Sequence, residues 1–86
     1  MEYNDQIKNR LHRIDGQLGG VIGMMELEKD CRGVVTQLSA IRSAVDRVMG
    51  LVVANNMEEG IIRELDKGNN PEPLIKEAVD LLVKSK

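Results

Sequence analysis

Cys31 is the single cysteine of the chain and His12 its single histidine, so thiol and imidazole chemistry each rest on one side chain. The thiol lies in LEKDCRGVV, directly after Asp30, a residue type that caps helices. A cysteine in the first turn of a helix meets backbone N–H groups without intrahelical partners, and these favour the thiolate. Lys29 and Arg32 act in the same direction, while Glu28 and Asp30 oppose them. Three readings of Cys31 stand open: an inert half-buried thiol, a reactive sensor and a metal ligand. Cys31 and His12 supply two donors at most, so a metal site needs Asp, Glu or groups from another chain to complete it. One cysteine also excludes an internal disulfide, and a reducing, cytoplasmic setting is the expectation.

The second chemistry-bearing feature is basic. Lys8, Arg10, His12 and Arg13 occur in a six-residue run, KNRLHR, without an acid among them. On a helix, Arg10, Arg13 and Gln17 follow at steps of three and four, which sets two guanidinium groups and an amide on one face. Such a face can grip phosphates, and it can equally be an ordinary solvated helix surface. Arg42 and Arg47 are candidates to extend it. The whole chain gives no global positive field, since 12 Lys+Arg stand against 14 Asp+Glu for a net charge of -2. No recognition-helix arrangement is visible. Catalysis has little support: Glu58 and Glu59 are adjacent and point in different helical directions, and the five methionines have core-filling, helical spacing.

These residues have to be positioned by helices. Ile7, Leu11, Ile14, Leu18, Val21 or Ile22, and Met25 recur at steps of three and four, which predicts a helix over 4–28. Gly16, Gly19, Gly20 and Gly23 lower its propensity and suit a close helix contact. Val34, Leu38, Ile41, Val45, Val48 and Val52 set a second stripe that persists through Met57, Ile61, Ile62 and Leu65, a helix over 31–66 interrupted in polarity by Asn55 and Asn56. KGNNPEP then supplies a stop and restart, and Leu74, Ile75, Ala78, Val79, Leu81 and Leu82 predict a short third helix over 72–84.

The expected fold class is therefore all-α, a single domain over 1–86. With Tyr3 as the one aromatic residue, its core is built from Leu, Ile, Val, Met and Ala, and stacking platforms for single-stranded nucleic acid are nearly excluded. Two long helices and a short one cannot cover their own apolar stripes. Pairing two helical hairpins into an antiparallel four-helix bundle solves this, so a dimer is the expected minimum. The third helix either covers an end of that bundle or joins two dimers. No apolar run approaches a membrane span, and the N-terminal residues lack a secretory pattern.

RLHRIDGQLGGVIGMM (10–25) and KDCRGVVTQLSAIRSAVDRVMGLV (29–52), with EAVDLLVKSK at the end, resemble the copper-sensing and nickel-sensing repressor family of the CsoR/RcnR type. The resemblance looks closest to its persulfide-sensing branch. It implies an all-helical DNA-binding repressor, with antiparallel dimers joined into homotetramers, acting on double-stranded operator DNA. Arg13 and Gln17 fall in the family's basic first-helix segment, with Arg10 beside them and Arg47 on the second helix as further DNA-facing candidates. Cys31 matches the sensor cysteine. In the metal sensors it cooperates with a histidine and a second cysteine of the partner chain, and those positions here hold Asn56 and Gly60.

That departure excludes the family's trigonal copper(I) centre and its two-cysteine bridge, so no metal or other cofactor is expected. Formaldehyde sensing through an N-terminal amine before proline is weakened by the start Met1-Glu2. Three inducer readings follow. Cys31 alone is modified by a sulfur species, an aldehyde or another electrophile; or Cys31, with His12 or acidic groups brought in by assembly, holds a metal in a non-standard site; or the chain binds DNA constitutively, alone or in a mixed oligomer with a two-cysteine relative. The different-class alternative is a helical interaction protein without specific DNA binding.

Overall fold

The computed structural model describes residues 2–85, and these form three α-helices: α1 (Asp5–Glu26), α2 (Cys31–Asp66) and α3 (Glu72–Lys84). The all-α, three-helix expectation is met. Asn4 starts α1 from an extended backbone conformation: its side-chain oxygen accepts the N–H of Ile7 at 2.8 Å, and its carbonyl accepts that of Lys8 at 3.3 Å. Asp5 adds a negative charge to the first turn, where the helix dipole favours it.

The ends of α1 and α2 share one device. After α1, Glu28 N–H donates to Met25 O and Lys29 N–H to Met24 O, with Glu28 in the left-handed region at φ 55°. After α2, Gly68 N–H donates to Leu65 O and Asn69 N–H to Glu64 O, with Gly68 at φ 75°. Both are Schellman turns, which satisfy carbonyls that the helix leaves without partners. The first turn explains why α1 stops at Glu26 although apolar residues continue to Leu27, which is exposed. At the second, the Asn69 side-chain amide also donates to Glu64 Oε2 at 2.9 Å.

Pro71 and Pro73 bracket the entry to α3, where a missing N–H costs nothing, and Asn70 Oδ1 accepts the N–H of Glu72 at 3.1 Å. Lys84 places a positive charge at its C-terminal turn.

Packing divides the chain into two units, Asn4–Val48 and the chain from Met49 on with Glu2 and Tyr3. In the first, Ile7, Ile14 and Val21 of α1 and Ile41 and Val48 of α2 are buried. All five lie at seven-residue intervals along their helices, the seam of a helical hairpin packed side by side. Leu11, Leu18, Ile22 and Met25 of α1 and Val35, Leu38 and Val45 of α2 stay exposed. No large side chain among the described residues is fully buried. In the second unit Gly60 and Ala78 are buried, and Asn55 donates from Nδ2 to the Glu2 carbonyl at 3.3 Å, tying the N-terminal arm to α2.

Within the single chain the glycines of α1 make no close contact. A Cβ at Gly16, Gly19, Gly20 or Gly23 would meet nothing within 4 Å.

Candidate nucleic-acid interface and thiol site

The hairpin brings the basic residues together. Buried Ile14 turns its side chain towards the helix seam, and its neighbours Arg10, Arg13 and Gln17 come with it to the edge of α1 that borders α2. Across the seam, small Ala44 leaves room, and Arg47 follows it one helical step later. Arg10, Arg13, Ile14, Gln17, Ala44 and Arg47 line one surface concavity of about 160 Å³. Arg10 is half-buried; Arg13, Gln17 and Arg47 are exposed.

Three guanidinium groups and an amide therefore share a site with no acid in its lining. Among the described residues the one ion pair joins Lys8 to Asp5 at 3.8 Å, so none of these arginines is engaged by a carboxylate. Like charges gathered without a counter-charge repel one another, and an anion that bridges them gains from all three. Arginine forks suit phosphate oxygens in particular.

Arg42 does not join the group. It lines a separate concavity of about 290 Å³ with Val35, Leu38 and Ser39. His12 is exposed and lies outside the arginine site.

Cys31 is the first residue of α2, is exposed and carries a free thiol. Asp30 precedes it as expected: its carbonyl accepts the N–H of Val34 at 3.2 Å, and its carboxylate stands over the first turn, 2.8 Å from where a Cβ on Gly33 would be. Glycine at 33 thus makes room for the acid. Among the described residues of the single chain, no three His, Cys, Asp or Glu side chains gather where they could hold a metal. Neither Cys31 nor His12 belongs to such a group.

Asn56 and Gly60 occur in the other unit. Exposed Asn56 lines a cleft of about 300 Å³ between α2 and α3, with Val53, Met57, Leu74 and Glu77 among its walls. Gly60 is buried under Leu74. Tyr3 also borders the cleft, a placement that no local pattern in the chain foretells.

An all-helical chain that gathers unpaired arginines on a helical hairpin and exposes one thiol at a helix start has the parts of a small regulator. Residues 3–84 match the family described as metal-sensitive transcriptional repressors, and the chain belongs to that family. Its members are repressors, and the chain is not an enzyme. It is 32% identical over 80 residues to the copper-sensing transcriptional repressor CsoR of Bacillus subtilis (strain 168), covering 93% of this chain and 78% of that protein. It is 59% identical over 63 residues to the uncharacterized protein YrkD of the same organism, covering 73% of this chain and all of that one. Among solved structures, the nickel-responsive transcriptional regulator InrS superposes with a TM-score of 0.79 at 36% identity, covering 94% of this chain and 93% of that one. None of the described helices is long and apolar enough to cross a membrane.

Proposed function

We propose that the chain is a DNA-binding transcriptional repressor whose grip on double-stranded operator DNA is controlled by covalent modification of Cys31. The single observation that carries the DNA-binding half is the concavity that Arg10, Arg13, Gln17 and Arg47 share without an acid. Three arginines set this close give a multidentate phosphate clamp, and symmetry in an oligomer repeats it along the duplex. The apolar residues left exposed on α1 and α2, Leu11, Leu18, Val35 and Leu38 among them, support assembly, and the proposed form is a homotetramer.

Cys31 acts as the sensor because it is exposed, carries a free thiol and opens the same helix that bears Arg47. With a polysulfide, the Cys31 thiolate attacks a sulfur atom; one S–S bond forms to the protein, one breaks in the reagent, and the shortened polysulfide anion leaves. No separate oxidant is consumed. This chemistry agrees with the likeness to the persulfide-sensing branch and needs no second cysteine. A metal response is the second reading, favoured by the family's metal-sensitive members, and it requires donors from another copy to join Cys31 or His12. Constitutive binding, alone or in a mixed oligomer with a two-cysteine relative, is the outcome if neither inducer acts.

The test is fluorescence anisotropy with duplex DNA from upstream of the chain's own operon, reduced and after polysulfide treatment at fixed salt. Specific binding lost on treatment supports the sulfur sensor. Binding that persists keeps the repressor and rejects this inducer, and equal binding to scrambled duplex leaves only a helical interaction protein.

A further inference from the structure

The arginine concavity has a floor as well as a charge. Buried Ile14 and half-buried Ala44 are its apolar lining, and Arg10, Arg13, Gln17 and Arg47 stand around them. Arg10 is half-buried, so packing orders part of its stem before any ligand arrives. Asp15 and Asp46, the sequence neighbours of Ile14 and Arg47, are exposed and lie outside the lining. An apolar floor lowers the local dielectric, and charge-assisted hydrogen bonds made against it are stronger than on an open helix face.

Size and charge then select the ligand. About 160 Å³ is below the roughly 300–1,000 Å³ of pockets that take drug-sized molecules, so the space suits an ion. A phosphate within a nucleic-acid backbone has two of its oxygens tied to sugars, carries one negative charge and offers two free oxygens to the rim. A free phosphate has every oxygen exposed and carries close to two charges above neutral pH. Guanidinium groups that reach it from two helices, with an amide beside them, match the free ion more fully than the diester.

We propose that this concavity is a binding site for inorganic phosphate, and that the ion occupies it in competition with operator DNA. The competition rests on the DNA-binding role proposed above; the ion site is measured without it. Phosphate then acts on the grip as a specific ligand, over and above its contribution to ionic strength.

The experiment uses the full chain at about pH 8, with sodium phosphate set against sodium chloride at equal ionic strength. Titration calorimetry without DNA is expected to show saturable phosphate binding in the wild type and in Arg42→Ala. Binding should be roughly tenfold weaker in Arg13→Ala and in Arg47→Ala, and roughly tenfold weaker for dimethyl phosphate, a small diester, than for phosphate. Heats no different from chloride, an affinity that both arginine substitutions leave unchanged, or equal binding of dimethyl phosphate each overturns the inference. Anisotropy with operator duplex follows. At phosphate tenfold above its half-saturation, apparent operator affinity should fall by about tenfold for each concavity engaged, relative to matched chloride. An equal fall in the two salts overturns the competition. A chain that fails to distinguish operator from scrambled duplex while the calorimetry holds loses the repressor reading and keeps the phosphate site.

Discussion

Glu28 and Gly68 hold the same place in two equivalent helix-ending turns, each with a left-handed backbone, at φ 55° and 75°. Glycine adopts this conformation freely, whereas a residue with a Cβ is strained there by about 1–2 kcal/mol. Gly68 stands open, with nothing within 4 Å of where a Cβ would be, so backbone conformation alone decides what that site tolerates.

Glu28→Gly should therefore stabilise the protein, by about 0.5–1 kcal/mol once the added freedom of the unfolded chain is subtracted. Gly68→Ala should destabilise it by about 1 kcal/mol. Urea unfolding followed by helical circular dichroism measures both, and equal effects of the two substitutions would contradict the assignment.

Gly19→Ala should raise stability by about 0.8–1 kcal/mol, because the position is mid-helix and open in the single chain. Size-exclusion with light scattering belongs beside the melting curve. A lower Tm accompanied by dissociation would reveal another copy packed against this glycine face.

Arg13→Ala and Arg47→Ala should each weaken operator binding while leaving helix content unchanged. If each arginine meets one phosphate, the slope of log affinity against log salt should fall by about 0.9 for every phosphate left unneutralised in each protomer engaged on DNA. Arg42→Ala serves as the comparison, because Arg42 lies outside the concavity, and it should change binding less. Anisotropy titrations at several salt concentrations give the slopes, and an unchanged slope for Arg13→Ala would remove it from the interface.

Cys31→Ser should preserve folding and operator affinity and abolish release by polysulfide. Mass spectrometry of the treated wild type should find the added sulfur on Cys31. Release that survives the substitution would locate the sensor elsewhere.

Much of this architecture is legible in residue spacing. Seven-residue intervals of Ile7, Ile14 and Val21 and of Ile41 and Val48 define the hairpin seam, and KGNNPEP sets the break before α3. The grouping of Arg10, Arg13 and Gln17 also follows from helical spacing, and the hairpin adds Arg47 to it. Arg42, a candidate beside Arg47 in the sequence, is set apart by the structure, since the five residues from it to Arg47 turn a helix by about 140° beyond a full circle. Other features depend on tertiary packing and have no local signal. Glutamate at 28 does not announce a left-handed turn, and nothing near Gly60 in the chain announces that Leu74 of α3 packs over it. The four glycines of α1 suggest a close contact that the single chain does not make, because that face is turned away from the hairpin seam.

Cys31 and Arg47 belong to one unbroken helix, sixteen positions apart, about 24 Å along its axis. A group added at the first cannot touch the second. Under the proposed function, chemistry at the thiol reaches the arginine only through a shift of the helix or of its neighbours in an assembly. The reading surface and the sensing end are then separable parts: one can be altered by substitution while the other is inherited intact. A scaffold of this kind lends itself to divergence, with new inducers recruited at the start of α2 and the same grip on the duplex retained.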